Sequence, residues 1–332
     1  MDGPRDRAQE AAADNGEDTE SFRIAVLEGL AQPQKRIPSR YFYDERGSAL
    51  FERICGLEEY YPTRTEMAIL DAYCGEIGGL LPREATVIEM GSGSSRKIAT
   101  LLEALQAPSA YVPVDISREH LIASARALAR DYPHISVIPV WGDFAGSFRV
   151  PDLPEGPRII FFPGSTIGNF TPHDATALLA AWSAHVGLGG YVVIGVDLKK
   201  DPRTLQAAYD DAAGVTAAFN LNVLVRANRE LAATFDLERF THRAVYDPEE
   251  GRVEMHLVSG GEQRVQVEDR VFDFAGGESI HTENSYKYTL DEFRALASAA
   301  GYQPLAVFTD DARLFSVHVL QVRALSVREP AR

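Results

Sequence analysis

The sequence predicts an α/β protein built on a mostly parallel, Rossmann-like sheet, with a second, α+β domain. Three observations predict it. Between residues 86 and 199, short apolar runs alternate with helical patterns, the rhythm of βαβ units. Before and after that stretch the rhythm is absent: residues 41–63 are dense in aromatics, and 203–274 read as a long helix followed by strands. From about 287 a helical pattern and two strand patterns resume the alternation. The boundaries that follow are 1–20 for an acidic tail, 21–63 and 200–286 for the second domain, and 64–199 and 287–326 for the sheet-bearing core.

Each element has its own signal. A short helix is expected over Phe22–Leu30, broken by Pro33 and Pro38. Pro62-Thr63 prepares a helix over 64–80. Strands are expected at Thr86–Met90, Tyr111–Val114, Ile135–Val140, Arg158–Phe162 and Tyr191–Val196. Helices are expected from Ser95 to about Leu105, at Arg118–Ala129 and at 174–186. Residues 203–233 form one long helical pattern, with Leu205, Ala208, Val215, Phe219 and Leu224 near helical spacing. His242–Tyr246, Arg252–Val258 and Gln263–Val271 look like antiparallel strands, followed by a helix over 291–300 and strands over 303–309 and 314–322.

Composition bounds the function. The 332 residues are 45% hydrophobic and 24% charged, enough to build a core without staples. Acidic residues outnumber basic ones 48 to 33, a net charge of −15. That argues against a nucleic-acid backbone as the partner. The tail carries Asp2, Asp6, Glu10, Asp14, Glu17, Asp18 and Glu20 against Arg5 and Arg7, and is expected to be solvated and disordered. No apolar run of membrane-spanning length occurs and no signal pattern opens the chain, so no membrane partner is expected. The two cysteines, Cys55 and Cys74, fit a reducing, cytoplasmic compartment. The eight histidines (120, 134, 173, 185, 242, 256, 281, 318) show no paired spacing of the HExxH kind, so no metal is expected. The protein is expected to act as a monomer on a small molecule.

Glu89-Met90-Gly91-Ser92-Gly93 sits where the first strand turns into a helix. Glycines there let the backbone approach a ligand, and the helix start offers free N–H groups. A plain tight βα turn is the competing reading. Asp115 ends the second strand, 22 residues after Gly93, where an acid can hold both hydroxyls of a ribose. Asp143 ends the third, with Phe144 beside it, where an adenine amino group and ring face can be met. A dinucleotide fingerprint wants glycine at position 96, where Arg96 stands.

Strand ends carrying Glu89, Asp115 and Asp143 resemble class I S-adenosylmethionine-dependent methyltransferases, over about 86–199 and 287–323. The closing helix and two strands also resemble that fold, in which a late hairpin gives the sheet an antiparallel edge. The resemblance implies S-adenosylmethionine as methyl donor and S-adenosylhomocysteine as product. It implies Gly91, Gly93 and Gly164 beside the cofactor, Asp115 on its ribose, Asp143 and Phe144 on its adenine, and Lys97 within reach of its carboxylate. A solvated helix lysine is the other reading of Lys97.

Further motifs narrow the family. They are Arg40-Tyr41-Phe42-Tyr43-Asp44, Glu59-Tyr60-Tyr61-Pro62-Thr63-Arg64-Thr65-Glu66, Pro163-Gly164-Ser165-Thr166-Ile167-Gly168-Asn169, Tyr209-Asp210-Asp211 running on to Phe219-Asn220, and Thr282-Glu283-Asn284-Ser285-Tyr286-Lys287-Tyr288. Together they resemble the histidine Nα-methyltransferases of ergothioneine biosynthesis, from about residue 22 to 323. The resemblance makes the second domain substrate-binding. It implies Asn169 and Tyr209 on the α-carboxylate of L-histidine with Tyr60 helping, Tyr43 by the amine through water, Glu283 and Ser285 on the imidazole, and Met255 beside the ring. Tyr43 and Tyr60 are the expected catalytic residues, orienting loss of the amine proton.

The pairing makes chemical sense. On an extended segment Glu283 and Ser285 share a face and Asn284 turns away. A neutral imidazole offers one donor and one acceptor, which a carboxylate and a hydroxyl complement. Competing readings are that Glu283 caps a loop or pairs Lys287, that the tyrosines only pack, and that Asn169 caps a helix. Other activities weigh less: an N-methyltransferase for another amino acid or biogenic amine, a nicotinamide oxidoreductase, a nucleic-acid methyltransferase, or a module that merely binds the nucleoside.

Overall fold

The computed structural model describes residues 19–93, 95–146 and 153–323. The acidic tail expected over 1–20 lies outside them as far as residue 18, as do 324–326 at the far end of the expected core. Residues 19–20 already belong to the first helix, α1, at 19–30. Phe22, Val26 and Leu30, one turn apart on its face, are its buried anchors.

A 3-10 turn, Ser39–Phe42, leads to α2 (Glu45–Cys55) and α3 (Tyr61–Leu80). The alternating part follows: β1 (Thr86–Met90), α4 (Ser95–Ala104), β2 (Ala110–Asp115), α5 (Arg118–Asp131), β3 (Ser136–Val137), β4 (Val140–Trp141), β5 (Arg158–Phe162), α6 (Pro172–Val186) and β6 (Tyr191–Asp197). Then come α7 (Pro202–Tyr209), α8 (Val215–Glu230), β7 (Phe240–Asp247), β8 (Arg252–Ser259), β9 (Gln263–Val267), β10 (Arg270–Phe274) and β11 (Ser279–Tyr286). The chain closes with α9 (Leu290–Ala299), β12 (Tyr302–Thr309) and β13 (Phe315–Val322).

The chain divides into two compact units. One holds the residues up to Tyr60, Pro202–Pro248 and Val253–Asn284; the other holds Tyr61–Asp201, Glu249–Arg252 and the chain from Ser285 on.

The sheet unit has strand order β12-β13-β6-β5-β1-β2-β3, with β4 also on β2. The strands from β6 to β3 run parallel; β13 pairs antiparallel with β6, and β12 with β13. The expected parallel sheet with an antiparallel closing hairpin is therefore present. β1 is buried along its whole length, as a strand covered on both faces must be. On one face Ile88, Val112, Ile160 and Ile194 pack with Leu179 and Trp182 of α6 and with Phe293 of α9. On the other Val87, Tyr111, Ile159, Phe161 and Val193 pack with Ile69 and Ile77 of α3 and Ile98 and Leu101 of α4. Trp182 meets Phe162 edge to face at 4.8 Å.

The other unit contains the three-stranded sheet β11-β8-β7 and the hairpin β9–β10. Four expectations change. The single helix over 203–233 is two: Gly214 takes a left-handed conformation at φ 70°, and Asp211 accepts from the amides of Val215 and Thr216 at 2.9 and 2.7 Å, starting α8 afresh. The strand over Ile135–Val140 is two short pieces, because Pro139 between them has no N–H to donate. Gln263–Val271 is a hairpin that turns at Glu268, φ 52°. The aromatic arm contains the helix α2, capped by Asp44 accepting from Gly47 N at 2.8 Å.

One buried ion pair ties three elements of the sheet unit. Lys97 Nζ on α4 lies 2.6 Å from Glu66 Oε2 on α3, and both side chains are almost fully buried. Glu66 also accepts from Gly164 N, at 2.9 Å to Oε2. Gly195 of β6 makes the room: a Cβ there would stand 2.0 Å from Glu66 Oε1. Removing one member of a buried pair strands the other charge, at a cost of about 3–5 kcal/mol. Urea denaturation of Glu66→Ala is therefore expected to show a loss of that size. A loss below about 1 kcal/mol, typical of exposed pairs, would mean that water reaches Lys97.

Candidate functional site

Within the sheet unit, the expected cofactor residues gather at the C-terminal ends of the parallel strands. Gly91 leaves β1 with φ 76°, and a Cβ there would press on the Phe144 ring at 3.3 Å. Nothing lies within 4 Å of the Cβ position of Gly93. Amides 91 and 92 both bond to Val114 O, so the turn is held against the end of β2. Asp115 accepts from Ser117 N at 2.7 Å, and Asp143 from Ala145 N at 2.8 Å. Phe144 packs against Phe162, Phe170 and Trp182, so its ring is anchored in the core while it covers Gly91.

Two acids in this rim are held toward their neutral forms. Burial pushes the Glu89 carboxyl up to about 8, against the hydrogen bonds from Tyr111 and Ser92. Glu89 Oε1 is buried without a hydrogen-bond partner. Burial pushes Asp115 up to about 6, opposed by backbone amides and His120. An unpaired buried acceptor, a glycine turn open at Gly93 and a desolvated acid at a strand end suit a ligand rich in hydroxyl and amino donors. Lys97 is committed to Glu66; its Nζ stands 3.7 Å from the Cβ position of Gly164. The sequence did not disclose that pairing, because its partners lie 31 residues apart.

Asn169 ends a 3-10 turn, Thr166–Asn169, that follows β5. Gly168 before it lets this turn meet the chain at Ser285–Tyr286: a Cβ there would lie 2.7 Å from Tyr286 O and 3.5 Å from Ser285 Oγ. Ser285 is buried and accepts from Lys287 Nζ at 2.8 Å. Lys287 in turn lies 2.7 Å from Asp197 Oδ2 at the end of β6. Asp197 also accepts from the Tyr61 hydroxyl at 2.8 and 2.9 Å and from Lys200 at 2.5 Å. Its own amide donates to Ser165 Oγ at 2.8 Å. The Lys287 ammonium thus joins Asp197 to Ser285.

Within the other unit, Tyr43, Phe51, Tyr60, Tyr209 and Phe219 belong to one connected group of aromatic rings. Tyr43 meets Phe51 at 5.5 Å and Phe219 at 5.4 Å; Phe51 meets Tyr60 at 6.2 Å; Tyr60 meets Tyr209 at 6.3 Å. Burial, and then the ionisable neighbours Tyr209, Cys55, Tyr43 and Glu283, push the Tyr60 phenol well above its usual range, so it stays protonated. That set of neighbours brings Tyr43, Tyr60, Tyr209 and Glu283 together. Met255 lies on the buried side of β8, its carbonyl accepting from Thr282 Oγ1 at 3.0 Å.

The local sequence explains these placements. Gly47 permits α2 to approach Phe42 O, where a Cβ would stand at 1.6 Å, and Asn222 of α8 donates to Asp44 at 2.7 Å. Tyr43 is held between these contacts. Tyr209 is fixed by a residue the sequence reading passed over. His242 Nε2 lies 2.8 Å from Tyr209 O, which only accepts, so Nε2 carries the proton. Nδ1 then accepts from Asn220 Nδ2 at 2.9 Å. Burial lowers the His242 pKa, in keeping with that neutral tautomer. Asn220 closes the Tyr209–Asn220 motif, which was the available signal.

Strict alternation fails on β11. Glu283 and Asn284 are both half-buried and Ser285 and Tyr286 both buried. Asn284 Oδ1 accepts from His281 Nε2 at 2.9 Å instead of turning away alone. The sequence reading also missed a cluster of metal-ligand type. Among the described residues, Glu254, His256 and His281 place ligand atoms within 4.8 Å of one another. Glu-x-His on a strand puts both on one face, a spacing that a search for helical pairs overlooks. Hydrogen bonds inside the cluster engage it: His256 Nε2 with Glu254 at 3.0 Å and His256 Nδ1 with Ser279 at 3.2 Å.

The sheet order, its antiparallel closing hairpin and the acids at its strand ends define a class I S-adenosylmethionine-dependent methyltransferase. The chain belongs to the histidine-specific, S-adenosylmethionine-dependent methyltransferase family, whose model matches residues 22–322. A histidine N-alpha-methyltransferase of Mycobacterium tuberculosis is 41% identical over 303 residues, covering 90% of this chain and 94% of the relative. Ergothioneine biosynthesis protein 1 of Neurospora crassa is 34% identical over 83% of this chain, which spans 32% of that larger protein. An L-tryptophan methyltransferase of Psilocybe serbica is 29% identical, covering 85% of this chain and 88% of the relative. Among the described residues no helix is long and apolar enough to cross a membrane.

The raised acid at Asp115 has a measurable sign. Between its ordinary value of 3.8 and about 6 the folded state binds more protons than the unfolded state. Its contribution to stability is therefore complete at low pH and is lost as pH rises through 6. Asp115→Asn, permanently neutral, should gain thermal stability relative to the wild type as pH goes from 4 to 7. A difference in Tm that stays constant over that range would place Asp115 in water.

Proposed function

We propose that the enzyme trimethylates the α-nitrogen of L-histidine, yielding hercynine for ergothioneine biosynthesis, with S-adenosylmethionine as donor. The observation that carries this is the histidine-specific family match across 22–322. The strand-end rim fits the cofactor. Gly91, Gly93 and Gly164 would line its amino-acid part, Asp115 would accept from its ribose and Asp143 from its adenine amino group, beside Phe144. Lys97 would contribute through its place next to Gly164. The bound cofactor supplies an electrophilic methyl on sulfonium.

The protein's own task is positioning, which can supply roughly 7–11 kcal/mol in such displacements. Asn169, Tyr209 and Tyr60 are assigned to the α-carboxylate, Tyr43 to the amine through water, Glu283 and Ser285 to the imidazole, and Met255 to the ring's flank. The amine must be neutral to attack and must shed a proton before each of three transfers. Tyr60, kept protonated by burial, orients as a donor and does not act as the base. His242 has both nitrogens engaged and serves the backbone of Tyr209. As methyl groups accumulate, the fixed charge meets aromatic faces such as Tyr43 and Phe51, a contact of about 0.5–2 kcal/mol.

Histidine is preferred over the indole of the Psilocybe relative's substrate for a polar reason. An indole offers one N–H and no acceptor, so it cannot satisfy a carboxylate and a hydroxyl together. Leaving such a group unpaired costs about 1–3 kcal/mol. The enzyme is inferred to work as a cytoplasmic monomer, where Cys55 and Cys74, which form no disulfide, remain reduced. The displacement itself calls for no metal ion.

Mass spectrometry of histidine incubated with enzyme and S-adenosylmethionine should show one, two and then three added methyl groups; an unmodified substrate would refute the proposal. Glu283→Ala should raise the histidine KM by roughly 10- to 100-fold, the equivalent of a lost charged hydrogen bond, with cofactor affinity unchanged. An unaltered KM would remove Glu283 from the imidazole.

A further inference from the structure

We propose that Glu254, His256 and His281 form a binding site for one divalent metal ion of the zinc type. All three belong to the unit that carries β8 and β11. The site is separate from methyl transfer, which calls for no metal ion.

The ligand set is the first ground. The three residues place ligand atoms within 4.8 Å of one another. Ligands about 2.0–2.1 Å from a tetrahedral zinc ion stand roughly 3.4 Å apart. His256 Nε2 already lies 3.0 Å from Glu254 Oε2. Two imidazoles and one carboxylate suit ions such as zinc and leave a fourth position for water. Magnesium and calcium take oxygen ligands instead. All three side chains are half-buried, so an ion can enter from solvent and is shielded once bound.

Rigidity is the second ground. β8 and β11 are neighbours in one sheet, and the rings of His256 and His281 lie 5.1 Å apart. Asn220 Nδ2 donates to His256 O at 3.2 Å. The backbone of His281 is pinned twice: its amide donates to Lys35 O at 2.8 Å, and its carbonyl accepts from Ile37 N at 3.0 Å. The rings are oriented as well. His256 Nδ1 lies 3.2 Å from Ser279 Oγ, and His281 Nε2 donates to Asn284 Oδ1 at 2.9 Å. An oxygen on the second ring nitrogen, as Ser279 provides for His256, is the usual way a metal-binding imidazole is held.

The proton count closes. A carboxylate only accepts, so His256 Nε2 carries the hydrogen toward Glu254 before the ion arrives. On binding, the Nε2 lone pair forms the bond to the ion and the ring hydrogen moves to Nδ1. Ser279 Oγ accepts it there, because a serine hydroxyl turns to donate or accept as required. Glu254 exchanges a hydrogen for the ion. So bound, the ion clasps β8 to β11 two residues ahead of Glu283.

The test uses the full chain without an affinity tag, stripped with EDTA and dialysed. Histidine is left out, since it chelates metals itself. Competition with a chromophoric chelator should show one zinc ion per chain, not displaced by excess magnesium or calcium. Cobalt(II) should give the intense visible bands of four-coordination without a near-ultraviolet thiolate band. Glu254→Gln, His256→Gln and His281→Gln should each weaken zinc binding by more than about 100-fold. Ser279→Ala should weaken it by roughly 10- to 100-fold, the cost of losing an outer partner. Zinc should raise the Tm of the wild type, as any ligand of the folded state does, and leave that of the three ligand variants unchanged. Melting in EDTA identifies any variant that does not fold. If none of the three folds, Ser279→Ala decides, and an unaltered affinity counts against the site. Failure of the wild type to bind zinc, displacement by magnesium, or native affinity in any folded ligand variant overturns the proposal. So does a thiolate band, which would put the ion on Cys55 or Cys74.

Discussion

The carboxylate of Asp197 is the constraint on which the rim of the sheet unit depends. It stands at the end of β6, fully buried, and collects Tyr61 from the start of α3, Lys200 just beyond β6, and Lys287 after β11. Its amide reaches Ser165 in the turn after β5. Three segments distant in sequence, at Tyr61, Ser165 and Lys287, are thereby referred to one residue. A buried carboxylate left without such partners would protonate or unfold its surroundings. The arrangement therefore persists only as a whole, and the positions of Asn169 and Ser285 inherit its rigidity.

The same rim treats other acids in the opposite way. Glu89 and Asp115 lack a neighbouring cation close enough to offset burial, and their carboxyls are raised. Asp197, buried as deeply as Glu89, is lowered because two ammonium groups touch it. One end of a single sheet thus offers desolvated acceptors, which a ligand's hydroxyl donors can satisfy, beside a permanently ionised structural centre. The difference comes from which helix start or strand end delivers a lysine, not from depth.

Much of this was legible in the sequence, for physical reasons. β1 and β5 are short apolar runs bounded by turn residues, and both match their expected limits. The acids at strand ends follow from the geometry of parallel sheets, which brings those ends to one side. The break between α7 and α8 was hidden because apolar spacing continues across it; only Asp211 and Gly214 mark it. α2 was hidden in an aromatic stretch whose density suggested packing and little else. Long-range polar partnerships left no local trace: Glu66 with Lys97, and Asp197 with Lys287, are joined by the fold alone. Burial stops alternating at Asn284, just before the stretch where Lys287 N is bound to Gly251 O and Tyr288 N to Asp197 O, a long-range pairing with no local signal.

The close passage at Gly168 carries a further consequence. With no side chain at that position, the turn ending in Asn169 rests directly on the backbone of Tyr286, next to Ser285. The two can neither drift apart nor draw nearer without disturbing a packed backbone. If Asn169 grips the carboxylate and Ser285 the ring, their separation is a ruler built into the protein. It measures the length of the amino acid between its head and its side-chain tip, and a homologue longer by one methylene must let go at one end.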